Sequence, residues 1–272
     1  MNRHMKLQNL HTHSIYCDGK DTIEEMIIAA YNQGLGGIGF SSHSVMKGCS
    51  MPKEKRETYQ AEIANMKIKY ADKIDVFCGM ECEMRDNTDF PGFDYLLGAV
   101  HYLKCEDELV VFDVSEVEGV KKIIQRYFGG DGMAYAKKYY EELAQLPQCG
   151  TFDIIAHIDL VAKFSEKEQL FDVTSKEYQW AAIEAAEQLA GKIPYFEVNM
   201  GAIIRGYRTT PYPDIFLIRE LKRLGFGAVI SSDCHDSRYL SCGLQEAEEL
   251  LKECGFEVKY ALTKSGFVPV EL

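Results

Sequence analysis

The amino-acid sequence predicts an α/β protein folded as a closed or nearly closed β/α barrel. Three observations carry this expectation. Strand-like and helix-like stretches alternate along the chain, the strand-like ones number seven, and six of the seven histidines fall at or just past the ends of those strands. Such alternation makes a parallel sheet with helical crossovers. No G-x-G-x-x-G or Walker motif follows any strand, which argues against an open nucleotide-binding sheet. The chain has 272 residues, 46% of them hydrophobic, which is enough for one barrel domain spanning 1–272.

The elements follow in order. Residues 6–10 form the first predicted strand. Residues 21–33 read as a helix capped by Asp21, with Glu24 three residues on, Gly34 as its stop, and Ile23, Met26, Ile27 and Ala30 as its apolar face. The second strand is 37–41 and the next helix 53–70. Strands at 75–84 and 95–101 are separated by a loop containing Pro91-Gly92. The fifth strand is 153–157. A helix at 176–190 ends before Gly191, a strand follows at 195–200, a helix at 213–224, the seventh strand at 227–232 and a last helix at 244–253. The stretch 102–148 breaks the rhythm. It is long and charged, with helical patterns at 116–127 and 131–146, and it is expected to be an insertion over the barrel mouth, where such barrels carry their active sites.

Composition excludes several function classes. The formal net charge is −12, from 42 acidic and 30 basic residues, so a broad nucleic-acid footprint is not expected. A small phosphorylated substrate remains compatible, because metal ions and a few cations reverse the sign locally. The opening MNRHMKLQNLHTH has no apolar core of a signal peptide, and no apolar run is long enough to span a bilayer. The nine cysteines are scattered without a C-x-x-C pair, and the expectation is a cytoplasmic protein with reduced thiols. Oligomeric state is left open, a homo-oligomer included.

The histidines point to a metal site. His11 and His13 end the first strand, His43 the second, His101 the fourth, His157 the fifth and His235 the seventh. One such histidine is ordinarily a hydrogen-bonded structural residue; six at one rim converge on one place. Residues i and i+2 share a strand face, so His11 and His13 point together, as do Asp233 and His235, and Glu81 and Glu83. Buried carboxylates among apolar residues are costly unless paired or metal-bound. Imidazoles with carboxylates suit zinc, iron or manganese. Alternation turns Cys234 away from this face. No G-x-S-x-G elbow offers another nucleophile.

The blocks NLHTHSIYCDG, SSHS, GMECEM, GAVH, AHIDL and SSDCHDS, in that order, resemble the polymerase and histidinol phosphatase superfamily, the PHP domains, from His11 to the closing SGFVPVEL. Within it the chain is most similar to the monofunctional L-histidinol-phosphate phosphatases, on its size, the insertion after His101 and the segment MGAIIRGYRTTPYPD. The resemblance implies a distorted (β/α)7 barrel with an insertion after the fourth strand. It implies two or three divalent ions: one on His11, His13, Glu81 and Asp233; a second on Glu81, His101 and His157; a third on Asp18, His43 and His235. The Asp18 position is histidine in some relatives. Glu83 would orient a histidine.

Glu81, Asp233 and His235 would be the catalytic residues of a phosphomonoesterase in histidine biosynthesis, in which a metal-bridging hydroxide attacks phosphorus in line with the leaving alkoxide. Arg205, Arg208, Lys163 and Ser232 are the expected contacts to a small phosphorylated substrate. Glu106, Asp107, Glu108 and Glu116 are open choices for its amine. Tyr16, Tyr207 and Tyr212 fall in mouth loops. The alternatives are a phosphoesterase or nuclease of the same superfamily acting on another small ester or nucleotide, a non-catalytic metal-braced module, and C–N bond hydrolysis of the amidohydrolase kind.

Overall fold

The computed structural model describes residues 7–86 and 89–272. Lys6 of the first predicted strand and His4 lie outside the described residues. Seven parallel strands form one sheet: β1 (Gln8–Asn9), β2 (Gly37–Phe40), β3 (Asp75–Glu83), β4 (Tyr95–Ala99), β7 (Ile154–Ile155), β8 (Tyr195–Asn199) and β9 (Gly227–Ser231), neighbours in that order. This is a nearly closed barrel, as the strand count predicts. The seam between β1 and β9 is closed beyond the strand ends. The His13 amide donates to the Cys234 carbonyl at 2.8 Å, and the Cys234 amide donates to the His11 carbonyl at 3.1 Å. Asn9 adds side-chain bonds from its Nδ2 to Ser232 Oγ (2.5 Å) and to the Leu240 carbonyl (2.9 Å).

Crossover helices α1 (Ile23–Asn32), α2 (Arg56–Lys69), α6 (Lys176–Leu189) and α8 (Ile215–Arg223) pack the outer face of the sheet, the short α7 (Gly201–Ile204) follows β8, and α9 (Leu244–Glu253) follows β9. α1 starts one residue later than its acidic cap predicts. Thr22, not Asp21, is the N-cap: its hydroxyl accepts from the Glu25 amide and its own amide donates to Glu25 Oε2. Asp21 instead accepts from the Ser237 amide at 2.7 Å, tying the first helix to the loop beyond β9.

Two layers of core result from strand alternation. Outside, Ile38, Val76, Cys78, Met80, Phe196, Val198 and Ile230 meet the helices. Inside, Phe77, Tyr95, Leu97, Ile154 and Val229 fill the lower lumen. Tyr95 crosses that lumen and donates its hydroxyl to the Leu10 carbonyl. A Cβ at Gly79 would collide with its ring, so the column Phe77–Gly79–Glu81 needs glycine at its middle. A C-terminal hairpin, β10 (Val258–Thr263) and β11 (Gly266–Glu271), closes the bottom. Gln8 exchanges hydrogen bonds of 3.0 and 2.9 Å with the backbone of Leu262.

Between β4 and β7 the chain forms a hairpin, β5 (Tyr102–Cys105) and β6 (Glu108–Val111), then α3 (Val117–Phe128), α4 (Gly132–Leu143) and the short α5 (Leu146–Cys149). α4 lies against α6, where Tyr140 donates to Tyr178 at 2.8 Å, so it stands in the helical ring as the crossover between β4 and β7. The hairpin is the part that borders the mouth: Tyr102 follows His101, and the Phe112 amide returns to the His101 carbonyl at 3.1 Å.

Candidate metal centre

The inner columns that are apolar at the bottom become ligating at the top. On β3 the alternate residues run Phe77, Gly79, Glu81, Glu83; on β4 and just past it, Tyr95, Leu97, Ala99, His101; on β9 and past it, Val229, Ser231, Asp233. Isolated bridges carry the pairing further, His43 against Glu81 and Thr12 against Cys234, so sheet pairing reaches the ligand-bearing ends.

Glu81 is buried at 1% exposure in a ring of imidazoles. Its Oε2 lies 3.4 Å from His11 Nε2, 3.5 Å from His13 Nε2 and 2.7 Å from His43 Nδ1. Its Oε1 lies 3.2 Å from His101 Nε2 and 2.8 Å from His157 Nε2. Asp233 Oδ1 is 3.7 Å from His11 Nε2 and 3.4 Å from His13 Nε2. On the outer side Asp18 Oδ1 stands 3.7 Å from His13 Nδ1 and 3.8 Å from His43 Nε2, and Asp18 Oδ2 stands 3.3 Å from His235 Nε2.

These distances fit metal ions. Bonds of about 2.0–2.2 Å in a tetrahedron put donor atoms about 3.3–3.6 Å apart. The four spacings from Glu81 Oε2 and Asp233 Oδ1 to His11 Nε2 and His13 Nε2, 3.4, 3.5, 3.7 and 3.4 Å, lie close to that edge length. His11 Nε2, His13 Nε2, His43 Nδ1 and Glu81 Oε2 are buried without a hydrogen-bond partner. Buried polar atoms are ordinarily satisfied, so the orphans of His11, His13 and Glu81, which share one donor group, fit an ion. Groups of donors within 4.8 Å of one another recur three times: His11, His13 and Glu81; His43, Glu81 and His101; His13, Asp18, His43 and His235.

Electrostatics agree with this crowding. Burial opposes charge on Glu81, but His43, His11 and His101 outweigh it and hold the carboxyl well below its ordinary value. Asp233 is held down likewise, by Arg205 first and then His11. Burial opposes protonation of His11, yet Glu197, Asp233 and Glu81 raise it. His101 is raised mainly by Glu81 against the same burial. His13, buried beside His235 and His43, is pushed down to about 3.

A second layer of carboxylates aims the rings. Glu83 Oε2 accepts from His101 Nδ1 at 3.1 Å and from its amide at 2.7 Å, leaving Nε2 toward Glu81, as the sequence suggests. Glu197 was not singled out from sequence. It accepts from His11 Nδ1 (3.0 Å), the His157 amide (2.8 Å), Asn199 Nδ2 (2.8 Å) and Ser231 Oγ (2.6 Å). The signal was present: an acid in the middle of the apolar run YFEVN, on a strand buried on both faces. His157 and Asp233 both take positive φ, 21° and 49°, unusual for non-glycine residues. The Asp233 turn is braced by Arg205 Nη1 and His235 Nδ1, which donate to the Asp233 carbonyl at 2.8 and 3.0 Å.

The expected substrate contacts are dispersed. Arg205 reaches the centre, donating from Nη2 to Asp233 Oδ2 at 2.8 Å with its side chain 32% exposed. Lys163 is near the mouth but engaged, donating to Asp113 Oδ1 at 2.7 Å and to the Val114 carbonyl at 3.0 Å. Arg208 is taken into the fold by Asp159 (3.0 Å) and Thr210 (2.9 Å). Ser232 needs correction: it is fully buried in the β1–β9 seam, bonded to Asn9. Parity explains this, since Ser231, not Ser232, shares the inner face with Asp233. Cys234 is buried away from the centre, with its Sγ on the Asp236 carbonyl. Tyr16 turns to Glu62, Tyr207 lies under Lys163, and Tyr212 packs against His157.

A β/α barrel with clustered imidazoles and carboxylates at the C-terminal ends of its strands defines a metal-site barrel protein. More narrowly, the chain belongs to the PHP domain family, whose sequence model matches residues 9–201. It is 26% identical over 262 residues to the probable histidinol-phosphatase of Deinococcus radiodurans, covering 90% of this chain and 92% of that protein. Its fold is similar to that of hisK from Listeria monocytogenes (TM-score 0.79, 19% identity, 88% of this chain and 99% of the other). It also resembles histidinol phosphate phosphatase from Lactococcus lactis, solved with zinc, L-histidinol and phosphate (TM-score 0.73, 20% identity, 97% and 99%). Among the described residues no helix is long and apolar enough to cross a membrane.

Proposed function

We propose that this chain is a metal-dependent phosphomonoesterase that hydrolyses L-histidinol phosphate to L-histidinol and phosphate, a step of histidine biosynthesis in the cytoplasm. The observation that carries the reading is Glu81, with one oxygen facing His11, His13 and His43 and the other facing His101 and His157. A carboxylate so placed is built to join ions. His11, His13, Glu81 and Asp233 would hold one ion, Glu81, His101 and His157 a second, and Asp18, His43 and His235 a third; zinc, iron and manganese all suit these donors.

Bound ions would supply water activated at neutral pH and Lewis acidity toward the phosphoryl group. The chain's own residues do the rest. Glu83 and Glu197 hold His101 and His11 with Nδ1 engaged, presenting Nε2 to the centre. Arg205, fixed on Asp233 and partly exposed, is the cation best placed to receive a phosphoryl oxygen, with Lys163 further out. The buried position of Arg208 assigns it to holding the loop before α8 through Asp159. The relatives whose names state this activity cover nearly the whole chain, which supports the choice of substrate.

The test is phosphate release from L-histidinol phosphate by protein supplied with zinc or manganese. Turnover that a chelator abolishes and metal restores is expected. Cleavage of a nucleotide or another small ester without release from histidinol phosphate would keep the chemistry and move the substrate.

A further inference from the structure

On the outer helical ring, α4 and α6 leave an open groove of about 790 Å³ between them. Tyr140, Ala181 and Ala185 line it, and Trp180, the only tryptophan of the chain, stands beside them 67% exposed. The inward side of α6 is already anchored, with Tyr178, Ala182, Ala186 and Leu189 buried. The indole therefore adds nothing to the fold from where it stands. Apolar surface rimmed by charges in this way marks an interaction face.

The charges around the indole are ordered. Lys176, Trp180 and Glu184 recur at four-residue spacing, so α6 carries one outward stripe: a cation at one end, the indole in the middle, an anion at the other. Lys176 and Glu184 are eight residues apart, about 12 Å along the helix axis, too far to pair with each other. Among the described residues neither makes an ion pair, whereas Lys137 and Glu177 across the groove are joined at 2.5 Å. α4 repeats the order. Both helices are crossovers between parallel strands and run the same way, and Lys137 precedes Glu141 by one turn.

Such a stripe is complementary to itself when reversed. A twofold axis through Trp180 sets Lys176 of one copy against Glu184 of the other, twice, and brings the two indoles together over the alanines at the centre. A parallel arrangement sets like charges together. We propose that the α4–α6 groove is the contact face of a symmetric dimer of this chain, with Trp180 as its buried anchor and the Lys176–Glu184 pairs fixing the antiparallel register. The dimer does not depend on which ester the metal centre hydrolyses.

The experiment is sedimentation equilibrium of the full chain over a dilution series, with tryptophan emission recorded on the same samples. With a single tryptophan, the emission reads this face alone. The expected result is a dimer whose dissociation on dilution moves the emission to the red. Trp180→Ala should raise the dissociation constant about thirtyfold or more. Lys176→Glu and Glu184→Lys should each raise it about tenfold, because each sets two like pairs across the axis, and the two together should restore it. All three positions are exposed, so circular dichroism should find the variants folded. A monomer at every concentration overturns the proposal. So does a dimer whose dissociation leaves the emission unchanged, which would place the contact elsewhere, and failure of the double variant to restore association overturns the antiparallel register. Blue emission from a monomer that persists on dilution overturns the dimer as well and gives the groove a different occupant.

Discussion

At the lower end of the barrel interior, Phe77, Leu97, Ile154 and Val229 pack beneath Tyr95 and against Leu262 of the closing hairpin. Four residues further along the same inward-facing columns stand Glu81, His101 and Asp233, also buried, and Glu81 Oε2 there has no hydrogen-bond partner. One strand alternation builds both ends. The lower end gains stability from apolar burial. The upper end gathers buried charge that favours folding only when paired or metal-bound. Stability and chemistry are therefore separated along the strand axis rather than between domains, and the two ends should answer to different measurements.

The largest stability effect is expected from the bottom. Leu97→Ala should cost about 2–5 kcal/mol, read as a fall in Tm, while turnover per folded, metal-loaded chain stays near its starting value. Loss of turnover in protein that remains folded and loaded would break the separation. At the top, Glu197→Gln should weaken metal binding about ten- to a hundredfold, because His11 loses the anion that orients it. Its effect on Tm in the presence of excess metal should be smaller than that of Leu97→Ala.

A finer effect is the pH dependence of metal uptake. His11 and His101 are raised by neighbouring carboxylates and hold protons above the ordinary histidine value. Metal binding must displace those protons. Affinity should therefore rise with pH, about tenfold per unit for each proton released, keep rising past about pH 6.5 where an ordinary histidine would level off, and flatten only above the raised values. His13, lowered to about 3, is already neutral there and adds nothing to the slope. Competition against a chromophoric chelator at several pH values reads it; a flat profile would mean that these imidazoles are not the ligands.

The separation also decides what could be read from the sequence. Strand alternation and chain order made the six histidines, Glu81 and Asp233 legible, because both are local properties. Glu197 is legible only as an acid inside the apolar run YFEVN; its partner His11 lies 186 positions away, and no spacing announces that pairing. Ser232 runs against the parity that turns Cys234 away: the same alternation sends its side chain into the β1–β9 seam, onto Asn9. The hairpin β5–β6 was hidden by its turn: Glu106 takes φ 54°, a conformation in which glycine or asparagine would have been the signal, and the exposed strand reads as part of a charged insertion. The cap of α1 was off by one residue because Asp21 and Thr22 are both competent and only tertiary contact with Ser237 separates them.

The most direct test of the central claim is the metal content of Glu81→Gln beside the unaltered protein, by elemental analysis of folded chains. The unaltered protein should carry at least two ions per chain. Because both oxygens of Glu81 face histidines of different sets, this one substitution should remove more than one ion while the fold is retained. Retention of the full complement, or the loss of a single ion with turnover intact, would contradict a centre joined through Glu81.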